Sequence, residues 1–498
     1  MAVEGTSWVD PDAHGWVRHP ASDDEWTELA ADYGGDTDVV APFKRIVEVV
    51  RENGCQTVVV ENRYVDLDYR SEYAAFWAHR FQSPPPFARR LHFFATVIEA
   101  DQLHELPDEA VDAYLGYVVC RPVPLGAVGR TVLRPPASME PSVTTAVEDE
   151  VTLFGTQLNV RGAPFCQQDT EFLRCAHAAA WMCHYTAVRR RFVGRRPTAA
   201  FSGVAPPLLS VHRPLPSKGL TPHQVQAVFG AMDQPALTLD FDNLPRVPGV
   251  SDPTPLSDEH GNRQPGGLWD TRMVSIICRY VNSGFPVFIG TANHAFTVVG
   301  WTRENGEIHF FINDDARGPY LRVDSPLTDT PRRPWQLMMV PLPPKVYLSG
   351  EMAETIAYTT FTSVGAAIGA SSSMTDLATG LGAGTVKLRT YLQDGSEYKR
   401  GLQERGFDDG SRKILRLSRL PHFVWVVEAH DTARCQPGEP CVIAEAIFDS
   451  TSHDRRPRHD ALIGPGFVAT FPPGGEPERL ATNQHCWGSH LDQAGVAH

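Results

Sequence analysis

The chain reads Pro164-Phe-Cys-Gln-Gln-Asp-Thr-Glu-Phe-Leu-Arg-Cys-Ala-His-Ala-Ala-Ala-Trp-Met-Cys-His-Tyr185 about a third of the way along its length. The second half of this stretch predicts a helix that begins at Cys175, because small and apolar residues recur there at helical spacing. Arginines 189–191 suit the negative end of the helix dipole, and Pro197 prevents the helix from continuing. A cysteine in the first turn lies where the same dipole favours the thiolate, the reactive form. The alternative is that Cys175 is a small apolar residue of the core.

The composition is that of an ordinary globular protein. With 498 residues, 42% hydrophobic and 21% charged, the chain is long enough for two to four domains. A net charge of −14 argues against a nucleic-acid or anionic-membrane surface, and no segment is typical of a membrane span or a secretory signal. Nine scattered cysteines, an odd number, predict free thiols in a reducing cytoplasm.

Changes of pattern along the chain predict an α+β protein in four parts. They are an acidic, partly ordered leader at 1–36, an N-terminal α/β module at 37–163, a central domain at 164–345 and a C-terminal mixed α/β segment at 346–498. Within the last part, the Gly-, Ser- and Ala-rich run from Gly365 to Gly384 predicts a linker. The loop from Asn243 to Gly267 is unusually long, which favours either a lid over a cleft or a tolerated insertion.

His294 is the candidate base. The run Gly284-Phe-Pro-Val-Phe-Ile-Gly-Thr-Ala-Asn-His294-Ala-Phe-Thr-Val-Val-Gly-Trp301 predicts a buried strand that starts at this residue. The next predicted strand, 308–312, delivers Asp314 and Asp315 just beyond its end. Antiparallel neighbours place the end of one strand beside the start of the other, so we expect these acids to meet His294.

A cysteine, a histidine and an acid are the groups that thiol catalysis needs. The thiol must lose its proton to attack a carbonyl carbon, so an imidazole has to lie within hydrogen-bond reach. A carboxylate or amide must hold the imidazole in the correct tautomer. The oxyanion needs donors, which the Cys175 backbone amide and a nearby glutamine side chain can supply.

These motifs resemble the papain-like cysteine peptidase superfamily, most closely its C39-like bacterial branch. The resemblance covers residues 164–345 and rests on the Gln-led run before Cys175-Ala-His-Ala-Ala-Ala, on the His294 strand and on Phe311-Ile-Asn-Asp314. It implies a papain-like core, in which a Cys-bearing helix packs on an antiparallel sheet that carries His and Asp, flanked by α/β segments. It further implies Cys175 as nucleophile, His294 as base, Asp314 as orienting acid and Gln168 as oxyanion donor, with no cofactor and no metal.

Two features of the sequence depart from that family. In typical members the glutamine lies six residues before the cysteine, a place that Asp169 takes here; Gln168 is seven before, and Gln167 is an alternative donor. The C-G-[SA]-C-[WY] signature of the cathepsin branch is also absent. Asp315 and Asn313 remain alternatives to Asp314 as the third member.

Four other patterns could indicate a different kind of site, but each has weaker support than the cysteine, histidine and acid. Cys175, His177, Cys183 and His184 have the residue types of zinc ligands, but their helical angles scatter them over different faces. Ser396-Glu-Tyr-Lys399 matches an S-x-x-K string without its partner motifs. His309 is interpreted as an ordinary strand residue. Glu428 and Glu445 end similar strands, where paired carboxylates can act in acid–base catalysis but more commonly form salt bridges.

The function expected from these residues is a cysteine-dependent hydrolase. It would cleave a peptide or isopeptide bond of a peptide or protein substrate through a thioester acyl-enzyme. The flanking parts would select the substrate or regulate the enzyme, and the expected partners include a regulatory one. An acyltransferase or transglutaminase uses the same triad and passes the acyl group to an amine. A catalytically silent binding scaffold is the alternative from another class.

Overall fold

The structure is a computed structural model that describes residues 15–35, 40–204, 215–241, 271–304, 307–323, 335–367, 372–434, 440–452, 459–482 and 484–489. The loop predicted from Asn243 to Gly267 lies outside these residues. In the described chain, helices combine with sheets whose paired strands run antiparallel, which confirms the α+β class.

The first sheet is a meander of five strands in chain order. Its strands are β1 (Gly15–Arg18), β2 (Thr57–Tyr64), β3 (Ala88–Phe94), β4 (Tyr114–Cys120) and β5 (Val128–Leu133). Its helices are α1 (Asp23–Tyr33), α2 (Ala41–Glu52), α3 (Leu67–Ala75) and α4 (Asp108–Asp112). Within the predicted leader at 1–36, Gly15–Arg18 pair with β2 as β1, and α1 buries Trp26 in the first core.

A two-stranded hairpin, β6 (Val147–Leu153) and β7 (Thr156–Gly162), comes after the first sheet. Alternate residues of both strands are buried, as expected for a ribbon with one face on the core. The two turn residues, Phe154 and Gly155, both have positive φ, which gives the tight turn that the twist of a hairpin favours.

The predicted cysteine helix is α5 (Cys175–Arg189), which packs on the second sheet. Helices α6 (Thr198–Val204) and α7 (Pro222–Ala231) lie beside it, and α7 starts with the capping box of Thr221 and Gln224. The second sheet has six strands in the order β12-β11-β10-β9-β13-β8. They are β8 (Ala236–Asp240), β9 (Val287–Gly290), β10 (Ala295–Glu304), β11 (Glu307–Asp314), β12 (Gly318–Val323) and β13 (Leu337–Pro341), with α8 (Thr271–Asn282) before β9.

Both faces of the second sheet are buried, each against a different core. Val299 and Phe311 pack into the first core, with α5 and the first sheet. Val298 and Ile312, one residue away on the same strands, pack into the second core with α8. This explains why the strands predicted around His294 are continuously apolar, since a sheet covered on both faces has no solvent-facing side.

The third sheet has six strands in chain order and shares the second core. They are β14 (Val386–Asp394), β15 (Phe423–Asp431), β16 (Val442–Asp449), β17 (His459–Gly464), β18 (Phe467–Thr470) and β19 (Glu478–Ala481). Four helices accompany it: α9 (Gly350–Ala367), α10 (Ser372–Ala383), α11 (Gly395–Gly401) and α12 (Asp409–Leu417). The linker predicted at 365–384 is therefore wrong over 372–383, where α10 buries Leu377 and Leu381 in the second core.

No helix in the described residues is both long and apolar enough to cross a bilayer.

The segment before α5 lies along the edge of the first sheet. Phe165 and Thr131 exchange two backbone hydrogen bonds, each of 2.9 Å, and the Gln167 amide donates to Val128 O at 2.9 Å. Gly126 makes the closest approach, because a Cβ there would lie 2.0 Å from Gln168 O. The predicted boundary at 163/164 thus falls inside a continuous hydrogen-bonded stretch.

Candidate active site at Cys175 and His294

Cys175 is the first residue of α5 and is partly exposed. The preceding loop is held by Asp169, whose Oδ1 accepts hydrogen bonds from the backbone amides of Glu171 (3.0 Å), Phe172 (2.6 Å) and Leu173 (3.0 Å). The residue six places before the cysteine therefore organises the turn that leads into the helix. This placement leaves the thiol at the positive end of the α5 dipole.

His294 lies in the turn between β9 and β10. The turn is closed by Thr291, whose amide donates to His294 O at 2.9 Å and whose Oγ1 accepts from the His294 amide at 3.1 Å. On the neighbouring strand, Asn313 pairs with Thr297, so Asp314 at the end of β11 reaches the start of β10. The expected meeting of these two strand ends is confirmed.

The imidazole of His294 contacts both an acid and the thiol. Its Nε2 lies 3.0 Å from Asp314 Oδ1, which also accepts from the Ala316 amide at 2.9 Å. Because the carboxylate occupies Nε2, Nδ1 is left for the thiol. The interaction with the Cys175 side chain raises the pKa of His294. Cys175, His294 and Asp314 are thus brought together in the order that a thiol, a base and an orienting acid require.

The electrostatics of this group favour a charged imidazole. Burial by itself lowers the pKa of His294, but the hydrogen bonds to Asp314 and Cys175 and the nearby carboxylate charges raise it to about 11. Burial conversely raises the pKa of Asp314, and the hydrogen bond and charge of His294 bring it below its usual value. The ring therefore carries a proton at neutral pH, which is the form that stabilises a thiolate beside it.

Asp315 is a second carboxyl group at the same ring nitrogen. Its Oδ1 lies 3.7 Å from His294 Nε2, and both of its oxygens are buried without a hydrogen bond. The Gln168 backbone amide lies nearby, but its geometry falls short of a hydrogen bond. Burial and the Asp314 charge raise the pKa of Asp315 to about 7, and the charge of His294 only partly offsets them.

Of the alternatives for the third member, Asn313 faces elsewhere. Its Nδ2 donates to Pro164 O at 3.0 Å, and its Oδ1 accepts from the Tyr320 amide at 3.0 Å. It fixes the segment before α5 to the second sheet. Asp314, with the shorter contact to Nε2, is the acid that the geometry favours over Asp315.

The two glutamines before Cys175 have different roles. Gln167 is buried, and its Oε1 accepts from the Val128 amide at 3.2 Å, so it binds the first sheet. Gln168 is half-buried, and its side chain makes no hydrogen bond within the described part of the chain. Gln168 is therefore the glutamine that remains available as an oxyanion donor.

The four residues considered as zinc ligands on α5 are separated by their contacts. His184 Nδ1 lies 2.6 Å from Gln234 Oε1, its Nε2 accepts from the Arg196 amide at 3.1 Å, and Cys183 Sγ points to Pro286 O at 3.6 Å. His177 Nδ1 accepts from the Arg174 amide at 3.4 Å. Among the described residues, the group whose ligand atoms all lie within 4.8 Å of one another is instead His294, Asp314 and Asp315.

A second array of thiol, imidazole and carboxylate lies in the third sheet, and sequence reasoning missed it. Cys441 Sγ is 3.3 Å from His430 Nδ1, and His430 Nε2 is 2.9 Å from Glu428 Oε2. Glu445 stands directly opposite Glu428 on the next strand, and Arg405 forms ion pairs with both. We call these five buried residues the Arg405 cluster. The spacing of Glu428 and His430, two residues apart on one strand, could have indicated from the sequence that they share a face. The contact of His430 with Cys441 could not be predicted in this way.

The Arg405 cluster shows what the paired carboxylates do. Hydrogen bonding from His430 and the charge of Arg405 outweigh burial and hold the pKa of Glu428 well below its usual range. Trp487 Nε1 donates to Glu445 Oε2 at 3.1 Å, and Ser489 Oγ donates to Glu428 Oε2 at 2.6 Å. The two glutamates thus form salt bridges, as the commoner meaning of the pattern predicted, although at the centre of the sheet rather than at its surface.

No known protein family, curated protein or solved structure matches this chain.

Proposed function

We propose that this protein is a cysteine-dependent hydrolase that cleaves a peptide or isopeptide bond through a thioester acyl-enzyme. The observation that carries the proposal is the imidazole of His294, which Asp314 holds on Nε2 while the Cys175 side chain interacts with the same ring. Charge supports it as well, because an imidazolium beside a thiol at a helix N-terminus favours the nucleophilic thiolate.

In the proposed reaction, the Cys175 thiolate attacks the carbonyl carbon and the carbonyl π electrons move to oxygen. The Nδ1 proton of His294 passes to the leaving nitrogen as the C–N bond breaks, which leaves a thioester on Cys175. A water molecule then gives a proton to Nδ1 and attacks the thioester. The C–S bond breaks, the acid product leaves, and the thiolate and imidazolium are restored.

The proposed oxyanion donors are the Cys175 backbone amide and the Gln168 side chain. The amide belongs to the first turn of α5, where backbone donors have no partner inside the helix. Gln168 sits on the loop that Asp169 organises, seven residues before the cysteine. The backbone of Gln168 approaches Asp315, so this loop and the end of β11 are adjacent.

The arrangement is what the resemblance to papain-like peptidases implies. A helix with the cysteine at its start packs on an antiparallel sheet, the histidine immediately precedes one strand, and the acid ends the next. We infer a papain-like core from this order together with the motifs, and within it the C39-like branch from the His294 strand.

The experiment that tests the proposal traps the acyl-enzyme. The full chain is mixed with an activated acyl donor, and intact mass followed by peptide mapping should find the acyl group on Cys175 and not in Cys175→Ala. Cys55 serves as the internal control, because it is partly exposed like Cys175, but burial raises the pKa of its thiol to about 12. Equal acylation of the two thiols would contradict the proposal. Adding an amine distinguishes acyl transfer from hydrolysis, since a transferase forms the amide product.

A further inference from the structure

We propose that His294, Asp314 and Asp315 form a Zn²⁺ site whose occupancy reversibly switches off the thiol of Cys175. The binding part of this inference stands on the geometry alone, and the inhibitory part rests on the proposed function.

The donor set suits the metal. Imidazole nitrogen and carboxylate oxygens are common zinc ligands at about 2.0–2.2 Å, and tetrahedral ligands at that distance lie roughly 3.3–3.6 Å apart. The two measured separations from His294 Nε2, 3.0 Å to Asp314 and 3.7 Å to Asp315, bracket this value. All three ligand atoms lie within 4.8 Å of one another, so an ion can bind once the two carboxylates close on it, and the fourth position stays open.

Asp315 is the observation that points to a ligand. The residue is 1% exposed, and both carboxyl oxygens are buried without a hydrogen bond. Such a group is costly unless something compensates it, and most buried polar atoms have a partner. Its Oδ1 is directed at the same ring nitrogen that Asp314 contacts. A divalent cation between the three groups would satisfy it.

The position also provides rigidity and access. Asp314 ends β11 beside the start of β10, and the turn hydrogen bonds of Thr291 fix His294. The His294 side chain is 19% exposed, so the site borders solvent. Ligands held on strand ends keep their mutual distances better than ligands on mobile loops.

Metal binding at Nε2 changes what Nδ1 can do. Zn²⁺ takes the lone pair of Nε2, and the proton that Nε2 carried goes to solvent. Nδ1 keeps the remaining ring proton, so it has no lone pair to accept a proton from the Cys175 thiol or from water. The metal also occupies the place of the hydrogen bond to Asp314 that orients the ring. The three groups that hold the ion do not include Cys175, whose interaction with the ring is left to Nδ1 because both acids approach Nε2.

Calorimetric titration of the chelator-treated full chain with zinc chloride tests the site. Asp315→Asn should weaken one binding event at least about tenfold, whereas Cys175→Ala should retain it. The matched control is His422→Asn. His422 Nε2 lies 3.0 Å from Asp394, the same separation as at His294, but the pair is exposed. This variant should bind zinc as the wild type does. Unchanged binding by Asp315→Asn would overturn the metal site.

The inhibitory part is tested by alkylation of Cys175 with iodoacetamide. Saturating Zn²⁺ should slow it at least about tenfold, a chelator should restore it, and Asp315→Asn should lose this sensitivity. An unchanged rate at full zinc occupancy would overturn the inhibition. Failure of Cys175 to form an acyl-enzyme, with zinc binding that still depends on Asp315, would reject the hydrolase and leave the metal site standing.

Discussion

The candidate active site and the Arg405 cluster contain the same three kinds of group in the same order. In each, a carboxylate binds Nε2 of a histidine and a cysteine interacts with the ring, at 3.0 Å for Asp314 with His294 and 2.9 Å for Glu428 with His430. They differ in their surroundings. Cys175 is partly exposed at a helix end, whereas Cys441 is fully buried in a sheet.

Charge compensation differs as well. Arg405 pairs with both glutamates of its cluster, and Trp487 and Ser489 donate further hydrogen bonds to them. At the active site a second carboxyl, Asp315, is left without a hydrogen bond, and the cation beside both acids is His294 itself. If Cys175 reacts as proposed and Cys441 does not, these three kinds of group alone do not define a reactive thiol. The candidate active site and the Arg405 cluster differ in the exposure of the sulfur and in whether each carboxyl group has a hydrogen-bond partner.

The largest expected difference between the two sites is seen when each sulfur is removed in turn. Cys175→Ala should abolish acyl-enzyme formation and turnover, because it removes the sulfur on which the proposed thioester forms. Cys441→Ala should leave both unchanged. Alanine differs little in volume from cysteine, so both variants should fold, which circular dichroism checks. Turnover by Cys175→Ala would transfer the chemistry to another thiol, with Cys166 and Cys183 the nearest rivals.

The next effect concerns the two acids at His294. Asp314→Ala should lower the rate by about 10⁴-fold, the scale seen when an orienting acid is lost. Asp315→Ala should cost less than about tenfold, since its contact to Nε2 is the longer one. Steady-state kinetics of the two variants decide the matter. Equal, small effects would mean that neither acid orients the ring.

The Arg405 cluster should respond in stability rather than in rate. Arg405→Leu removes the cation from between two buried glutamates that face each other, which should cost about 3–5 kcal/mol of unfolding free energy. Arg322→Leu removes an exposed partner of Glu304 and should cost roughly 0–1 kcal/mol. Urea unfolding measures both. A similar loss of unfolding free energy in the two variants would show that burial does not make the Arg405 ion pairs more important than the Arg322 ion pair.

A further expected effect is a pH-dependent gain in stability. The folded-state pKa of Asp315 is raised to about 7 from 3.8, so folding holds a proton that the unfolded chain releases. The contribution of the Asp315 proton to the free energy of unfolding is complete below pH 3.8, and it is lost as the pH rises through 7. Asp315→Asn should therefore melt at a higher temperature than the wild type at about pH 8 and at the same temperature near about pH 3.5. Thermal scans at the two pH values check the sign.

What the sequence predicted well depended on local signals. The start of α5 at Cys175, the capping box at Thr221 and the strands around His294 result from periodicity, caps and glycine or proline breaks. The approach of Asp314 to His294 was also predictable, because a short connection between antiparallel strands leaves little choice of geometry.

What the sequence did not predict depended on distant contacts. Helix α10 forms in a stretch rich in glycine and serine because Leu377 and Leu381 bury against the second core, and packing overrides weak propensity. The role of Asp169 is visible only in the folded loop, where one carboxylate caps three amides. The β6–β7 hairpin differs: its alternating pattern was present in the sequence and was not recognised.

The tight passage of Gly126 against Gln168 has a consequence for how such a protein can evolve. The loop that brings the proposed oxyanion donor to Cys175 takes its shape from backbone contacts with the first sheet, at Val128 and Thr131. A recombination event at 163/164 would supply the cysteine helix with a foreign edge strand, and any side chain larger than glycine at position 126 would push the loop away. The first sheet and the loop before Cys175 must therefore be inherited together, because exchanging either one alone would lose the backbone fit between them.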